Sequence, residues 1–147
     1  MLRAVKDTDL DRLEQLWLHS AAHSHPSLPR QFWLDRSHQF RLDHQGSKRC
    51  IVFTDRHAAV AEAFITITKN YRLAYLCVSP LFSNCGIGAQ LISKASRGLP
   101  RLQAELLREN LRTRYFLQKH GFVESDRHYE AEYGQHILVM SHDAAFT

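Results

Sequence analysis

The 147 residues fit one domain with a single core, and 44% hydrophobic with 23% charged residues is the balance of a soluble globular chain. No apolar run approaches the ~20 residues that span a bilayer. The opening Met1-Leu2-Arg3-Ala4-Val5-Lys6-Asp7 has no apolar signal region, and Cys50, Cys77 and Cys85 form no CxxC pair; together these point to reduced thiols, a cytoplasmic home and no membrane partner. The net charge of +4 suits an anionic ligand such as a nucleotide, but scattered basic residues argue against nucleic acid.

In chain order, Leu2 to Val5 reads as a short strand. Thr8-Asp9-Leu10-Asp11 has the form of a capping box, and Leu10, Leu13, Leu16 and Trp17 follow at helical spacing. Pro26 and Pro29 break the chain before a second helix, Arg30 to Asp43, with Phe32, Trp33, Phe40 and Leu42 as its apolar residues. Cys50–Phe53 is an apolar strand, Asp55-Arg56-His57 a hairpin turn, and Ala59–Thr68 the next strand. The strand Leu73–Val78 is stopped by Ser79-Pro80. A helix over Ile87–Arg97 ends at Gly98 and Pro100; Leu102–Leu106 alternates as a strand; Asn110–His120 is a helix closed by Gly121. Phe122-Val123 and Tyr129–Met140 supply the last strands. The order β-α-α-β-β-β-α-β-α-β-β makes an α/β domain over residues 1–147 with one twisted mixed sheet.

The densest chemical signal is Ser83-Asn84-Cys85-Gly86-Ile87-Gly88-Ala89, which links a strand to a helix. Glycine lets the backbone approach an anion, and the first helical N–H groups have no intrahelical partner to occupy them. The same glycines also serve a tight turn. Asn110 is a favoured helix N-cap whatever else it does, and Phe116 suits a core position.

Four segments in order then resemble the GNAT superfamily of N-acetyltransferases: the opening Leu2–Leu10; Leu76-Cys77-Val78-Ser79-Pro80 with Cys85-Gly86-Ile87-Gly88-Ala89-Gln90-Leu91-Ile92; Leu102–Leu106 with Asn110; and Phe116 with Lys119-His120-Gly121-Phe122. The resemblance implies a sheet of about seven strands flanked by helices, with a splayed central pair, and acetyl-CoA as co-substrate without a metal. It implies that the backbone of Leu76, Cys77 and Val78 holds the pantetheine arm, because amides of that arm can satisfy backbone groups left unpaired by the splay. It implies that Ser83, Asn84, Cys85, Gly86, Ile87, Gly88 and Ala89 cradle the pyrophosphate, with Asn110 near the acyl end and Phe116 along the CoA wall. The implied reaction is direct attack of a primary amine, on a small molecule or a protein, by a monomer or homodimer.

Two positions depart from the family pattern. Ser83 stands where the family usually has Gln or Arg, so the loop starts without a charge. Leu117 stands where many members carry a tyrosine that protonates the leaving thiolate. Tyr115 is about 200° around the helix from that position and faces elsewhere. Glu62, in an apolar strand, is the base assigned here and Tyr129 the acid, with Tyr133, His136 or water as alternatives; a solvent-facing strand residue is the favoured reading of Glu62, and Glu105, flanked by Ala104 and Leu106, is similar. His19, His23 and His25 lack the carboxylate or cysteine of a metal site. His23, His25, Phe32 and Trp33 fall where the family fold borders its acceptor, and are assigned to substrate binding. A CoA-binding regulatory protein with weak or no catalysis is the competing reading, favoured by Ser83 and Leu117.

Overall fold

The computed structural model describes residues 1–56 and 58–146; His57, part of the expected hairpin turn, lies outside the described residues. Strand β1 (Leu2–Ala4) leads through a 3₁₀ turn (Asp7–Asp9) into α1 (Leu10–Ser24). The capping frame is shifted from the expected Thr8/Asp11 to Lys6/Asp9. The Asp9 carboxylate accepts the Lys6 backbone N–H at 2.7 Å and two Arg3 guanidinium bonds at 2.8 and 2.9 Å. A carboxylate wins this position because Arg3, on the adjacent strand, supplies a charge that a threonine hydroxyl cannot exploit.

The Arg3 hydrogen bonds hold the buried Asp9 carboxyl below the usual carboxylate range, against the opposing effect of burial. A folded-state pKa below the unfolded one gives stability that is present above the unfolded value near 4 and is lost as pH falls. Asp9→Asn therefore costs about 2 kcal/mol at pH 7. Denaturant titration should show that loss shrinking as pH falls below about 4, where the unfolded carboxyl takes up a proton, and vanishing only once the folded carboxyl is protonated as well.

The single helix expected over Arg30–Asp43 is two: α2 (Arg30–Leu34) and α3 (Ser37–Gln45). Arg36 leaves helical geometry between them, donates from its guanidinium to the Phe32 carbonyl at 2.7 Å, and lies 3.4 Å over the Phe32 ring. The break turns Trp33 and Phe40 into the core and leaves Leu42 exposed.

Strands β2 (Ser47–Thr54), β3 (Ala61–Thr68) and β4 (Leu73–Val78) extend β1 into an antiparallel sheet of order β1-β2-β3-β4. Helix α4 (Ile87–Ser96), β5 (Leu102–Leu107), α5 (Leu111–Lys119), β6 (Val123–Glu130) and β7 (Gln135–His142) follow, and the last three strands form a sheet of order β5-β7-β6. Seven strands are present as expected, but the single sheet parts at its centre. Parallel β4 and β5 share only the bridge Arg72↔Gln103, where Gln103 N–H donates to Tyr71 C=O at 3.0 Å. Beyond that point no backbone hydrogen bond joins them among the described residues.

Both faces of β3 are buried. Ala63, Ile65 and Ile67 pack with Leu91 and Ile92 of α4 and Leu117 of α5, while Phe64 packs with Leu13, Trp17, Trp33 and Phe40. This explains why β3 reads as a nearly continuous apolar run. β6 carries Glu124, Ser125, Asp126 and Arg127 and is mostly exposed, so it lacks the apolar alternation that marks a strand. Cys50 and Cys77 are buried and unpaired, and Cys85 is exposed. Among the described residues, no helix is long and apolar enough to cross a membrane.

Candidate active site

The parting of β4 from β5 opens a cavity of about 620 Å³. Its walls come from Tyr75, Leu76 and Cys77 of β4 and from Glu105, Leu106 and Leu107 of β5. Trp17, Ser20, His25, Trp33, Arg36 and Asp43 line one side, Asn110, Thr113 and Leu117 of α5 the other, and Glu132 and Tyr133 of the β6–β7 turn close it. Backbone groups facing each other across an unbonded strand pair need a partner, and a ligand carrying amides can supply it.

At the C-terminal end of β4 the chain runs through Pro80–Phe82 into the glycine loop. Asn84 and Gly86 both have positive φ, 63° and 77°, and Gly86 is the N-cap of α4. Only glycine adopts this left-handed cap without strain. No side chain caps α4, so its first N–H groups remain free for an anion. A Cβ built on Gly86 meets nothing within 4 Å, whereas one on Gly88 would lie 3.2 Å from the Phe116 ring. Gly86 thus borders open space, and Gly88 lets the first turn of α4 close onto α5. A loop with free N–H groups and open space before it fits a pyrophosphate.

Each acid in the cavity wall has a partner. The Tyr75 hydroxyl donates to Asp43, Arg72 donates to Glu105 at 3.2 Å, and Arg36 to Glu132. Burial, then the neighbouring Asp43, pushes the Tyr75 phenol far above its ordinary value. Burial pushes the Cys77 thiol up to about 12, so it is a filler rather than a nucleophile. Burial also raises Tyr133. His25 ends α1, with Nδ1 2.7 Å from the Ala21 carbonyl and its ring 4.8 Å from that of Trp33; burial pulls its pKa below the ordinary histidine value. The buried Trp33 Nε1 finds no acceptor among the described residues.

Of the residues singled out in the sequence, Leu76, Cys77, Asn110, His25 and Trp33 meet at this cavity. Asn110 also caps α5 by accepting the Thr113 N–H at 3.3 Å. Val78 ends β4 opposite Ala63, and the Ser83–Ala89 loop and Phe116 flank the α4 side. His23 is exposed and stacks on His19 at 6.2 Å, away from the cavity, and Phe32 supports it from behind, between Trp33 and Tyr133.

Neither residue assigned to acid–base chemistry lines the cavity. Glu62 sits on the α1 face of β3, where Arg12 binds its carboxylate at 3.3 Å. Tyr129 is 59% exposed on edge strand β6, against His136. Leu117 is fully buried and lines the cavity, while Tyr115 is exposed, as the helix geometry predicts. Sequence reasoning missed Tyr75 and Asp43, which are 32 residues apart and joined only by the fold. It also missed Glu109, which accepts from Ser27 N–H at 3.1 Å and Gln135 Nε2 at 2.9 Å and ties the α1–α2 loop to β7. Among the described residues, no three His, Cys, Asp or Glu side chains gather as a metal site.

The sheet is thus split, with an uncapped helix N-terminus on one side of the gap and a pocket on the other. The family model described as an acetyltransferase (GNAT) domain matches residues 46–124, and the chain belongs to that family. It is 25% identical over 141 residues to the peptidyl-lysine N-acetyltransferase YiaC of Escherichia coli K12, covering 96% of this chain and 95% of that one. Its fold is similar to apo YjaB of Escherichia coli, with a TM-score of 0.80 at 18% identity over 99% of this chain and 98% of that one. It is similar also to the PaiA N-acetyltransferase of Thermoplasma acidophilum in complex with coenzyme A, with a TM-score of 0.76 at 16% identity over 97% and 98% of the two chains.

Proposed function

We propose that the chain is an acetyl-CoA-dependent N-acetyltransferase of one domain, acting on a primary amine carried by a small molecule or a protein. Peptidyl lysine is the first acceptor to test, given the similarity to a peptidyl-lysine N-acetyltransferase. The single observation that carries this reading is the cavity between β4 and β5, which reaches from α5 to the aromatic wall of Trp17 and Trp33. Free thiols fit a reducing, cytoplasmic setting.

In this reading the backbone of Leu76, Cys77 and Val78 takes the pantetheine amides, and the N–H groups from Asn84 to Ala89 take the pyrophosphate, with Ser83 at the start of the loop. Phe116 walls the donor and Asn110 stands near its acyl end. The donor supplies an activated carbonyl and a good leaving group. The β4 backbone polarises that carbonyl, and the cavity walls hold the amine in line with it, which can carry much of the rate. Ser83 brings no charge, and a lost charged hydrogen bond weakens donor affinity by about 1–2 kcal/mol.

Calorimetric titration with acetyl-CoA and with free CoA tests the donor site, and micromolar binding of both is the expected result. A silent titration overturns the assignment. Leu117 favours the second reading, a CoA-binding protein with little turnover, because a buried leucine cannot protonate a thiolate. Leu117→Tyr should raise the release of free thiol with a lysine peptide about tenfold, the low end for an added general acid. An unchanged rate places the acid elsewhere, with Tyr133, a phenol of the cavity wall, as the candidate. Donor binding with no turnover in either form supports the second reading.

A further inference from the structure

A lysine ammonium cannot attack a carbonyl until it has lost a proton, and its ordinary pKa near 10.4 keeps it charged at neutral pH. The group that removes the proton must reach the cavity, be unprotonated at neutral pH, and have a free lone pair. Asp43, Glu105 and Glu132 reach the cavity but are bonded by Tyr75, Arg72 and Arg36. Glu62 is bonded by Arg12 and does not reach it. Tyr75, Tyr133 and Cys77 hold their protons too tightly to act as bases.

His25 meets all three conditions. A carbonyl oxygen only accepts, so the 2.7 Å contact to Ala21 O puts the ring proton on Nδ1 and leaves the lone pair on Nε2. Nε2 has no hydrogen-bond partner among the described residues. The ring is packed against Trp33 and lines the cavity, and the backbone N–H of His25 donates to the same Ala21 carbonyl at 3.1 Å. Two bonds to one carbonyl fix the ring's direction. Glu109, just past β5, acts on the ring through its charge, while Arg36, Glu132 and Tyr133 line the same cavity. Of these, the Glu109 charge favours an imidazolium once it forms.

We propose that His25 is the base of the acyl transfer and takes the proton of the acceptor ammonium onto Nε2. This rests on the acetyltransferase reading above. The ammonium N–H bond breaks as the Nε2–H bond forms, and the neutral nitrogen then attacks the thioester carbonyl. The C–N bond forms and the C–S bond breaks. The second nitrogen proton goes to the departing sulfur, and the imidazolium returns its proton to solvent through the cavity mouth. The products are the amide, the free thiol and one proton.

The discriminating variant is His25→Asn, whose side-chain amide replaces the Nδ1 donor to Ala21 while removing the Nε2 acceptor. With acetyl-CoA and lysine-peptide, N-terminal-peptide and polyamine probes, the expected fall in kcat/KM at pH 7 is about 10²–10³-fold. The gap should narrow toward pH 10, where the amine loses its proton unaided. A wild type that acetylates no probe overturns the acetyltransferase reading and the proposal with it. An active wild type matched by His25→Asn across the pH range overturns the proposal alone. A second readout needs neither turnover nor the variant: ¹⁵N NMR of the ligand-free wild type should show His25 neutral at pH 7 with its proton on Nδ1. The Nε2–H tautomer overturns the proposal.

Discussion

Gly86→Trp leaves the chain folded and abolishes acetyl-CoA binding. The substitution acts on two levels that the geometry separates. On the fold, a side chain at φ 77° carries left-handed strain of roughly 1–2 kcal/mol. For a chain of this length that lowers Tm by about 5 °C, a loss the fold survives. The built Cβ meets no protein atom within 4 Å, so no core contact is disturbed. On the ligand, the indole projects into the space before the uncapped α4 terminus, where the pyrophosphate is proposed to lie. Affinity should fall at least ~100-fold, about 2.7 kcal/mol. A folded variant with wild-type affinity by calorimetry places the donor elsewhere.

Phe40→Ala has the largest expected effect on stability. Phe40 is fully buried; its ring stacks 4.8 Å from Trp17 and meets Tyr75 at 4.9 Å and Phe64 at 6.1 Å edge-on. Removing a phenyl group from such a site costs about 3–5 kcal/mol, or ~10 °C or more in Tm. The same ring holds α3 over the sheet, so its loss also frees Asp43 from its fixed approach to Tyr75. Calorimetric melting checks the first effect. A loss below about 1 kcal/mol would mean that α3 is not anchored by this contact.

Much of the architecture is legible in the chain. The strand Leu73–Val78, the glycine loop and the helices before Gly98 and Gly121 each carry local signals: apolar alternation, a forced left-handed turn, a C-terminal stop. What stayed hidden depends on partners remote in sequence. The break between α2 and α3 comes from Arg36 folding back on Phe32 and reaching Glu132, 96 residues away. Strand β6 is held by pairing with β7 rather than by its own charged residues. In the site, the backbone roles at Leu76 and Cys77 leave no side-chain signature, and only the position of β5 opens the gap beside them. The acid–base assignments missed the cavity because an apolar context suggests burial without saying which face is buried. Glu62 was caught by Arg12, 50 residues away. His25 and Trp33 were legible as neighbours of a boundary between helices, but the His25 tautomer depends on a single backbone carbonyl.

The seam between β4 and β5 gives this chain an unusual thermodynamic dependence. Among the described residues the two sheets share one backbone bridge and are otherwise held by side chains, so a donor whose amides span the gap, as proposed above, would act as a missing strand. Its binding energy then becomes folding energy by mass action. At a donor concentration 100 times its Kd, the chain gains about 2.7 kcal/mol. On the proposed donor site, the lifetime of this protein would follow the acyl-donor pool, and the ligand-free chain would be the form most open to unfolding and proteolysis.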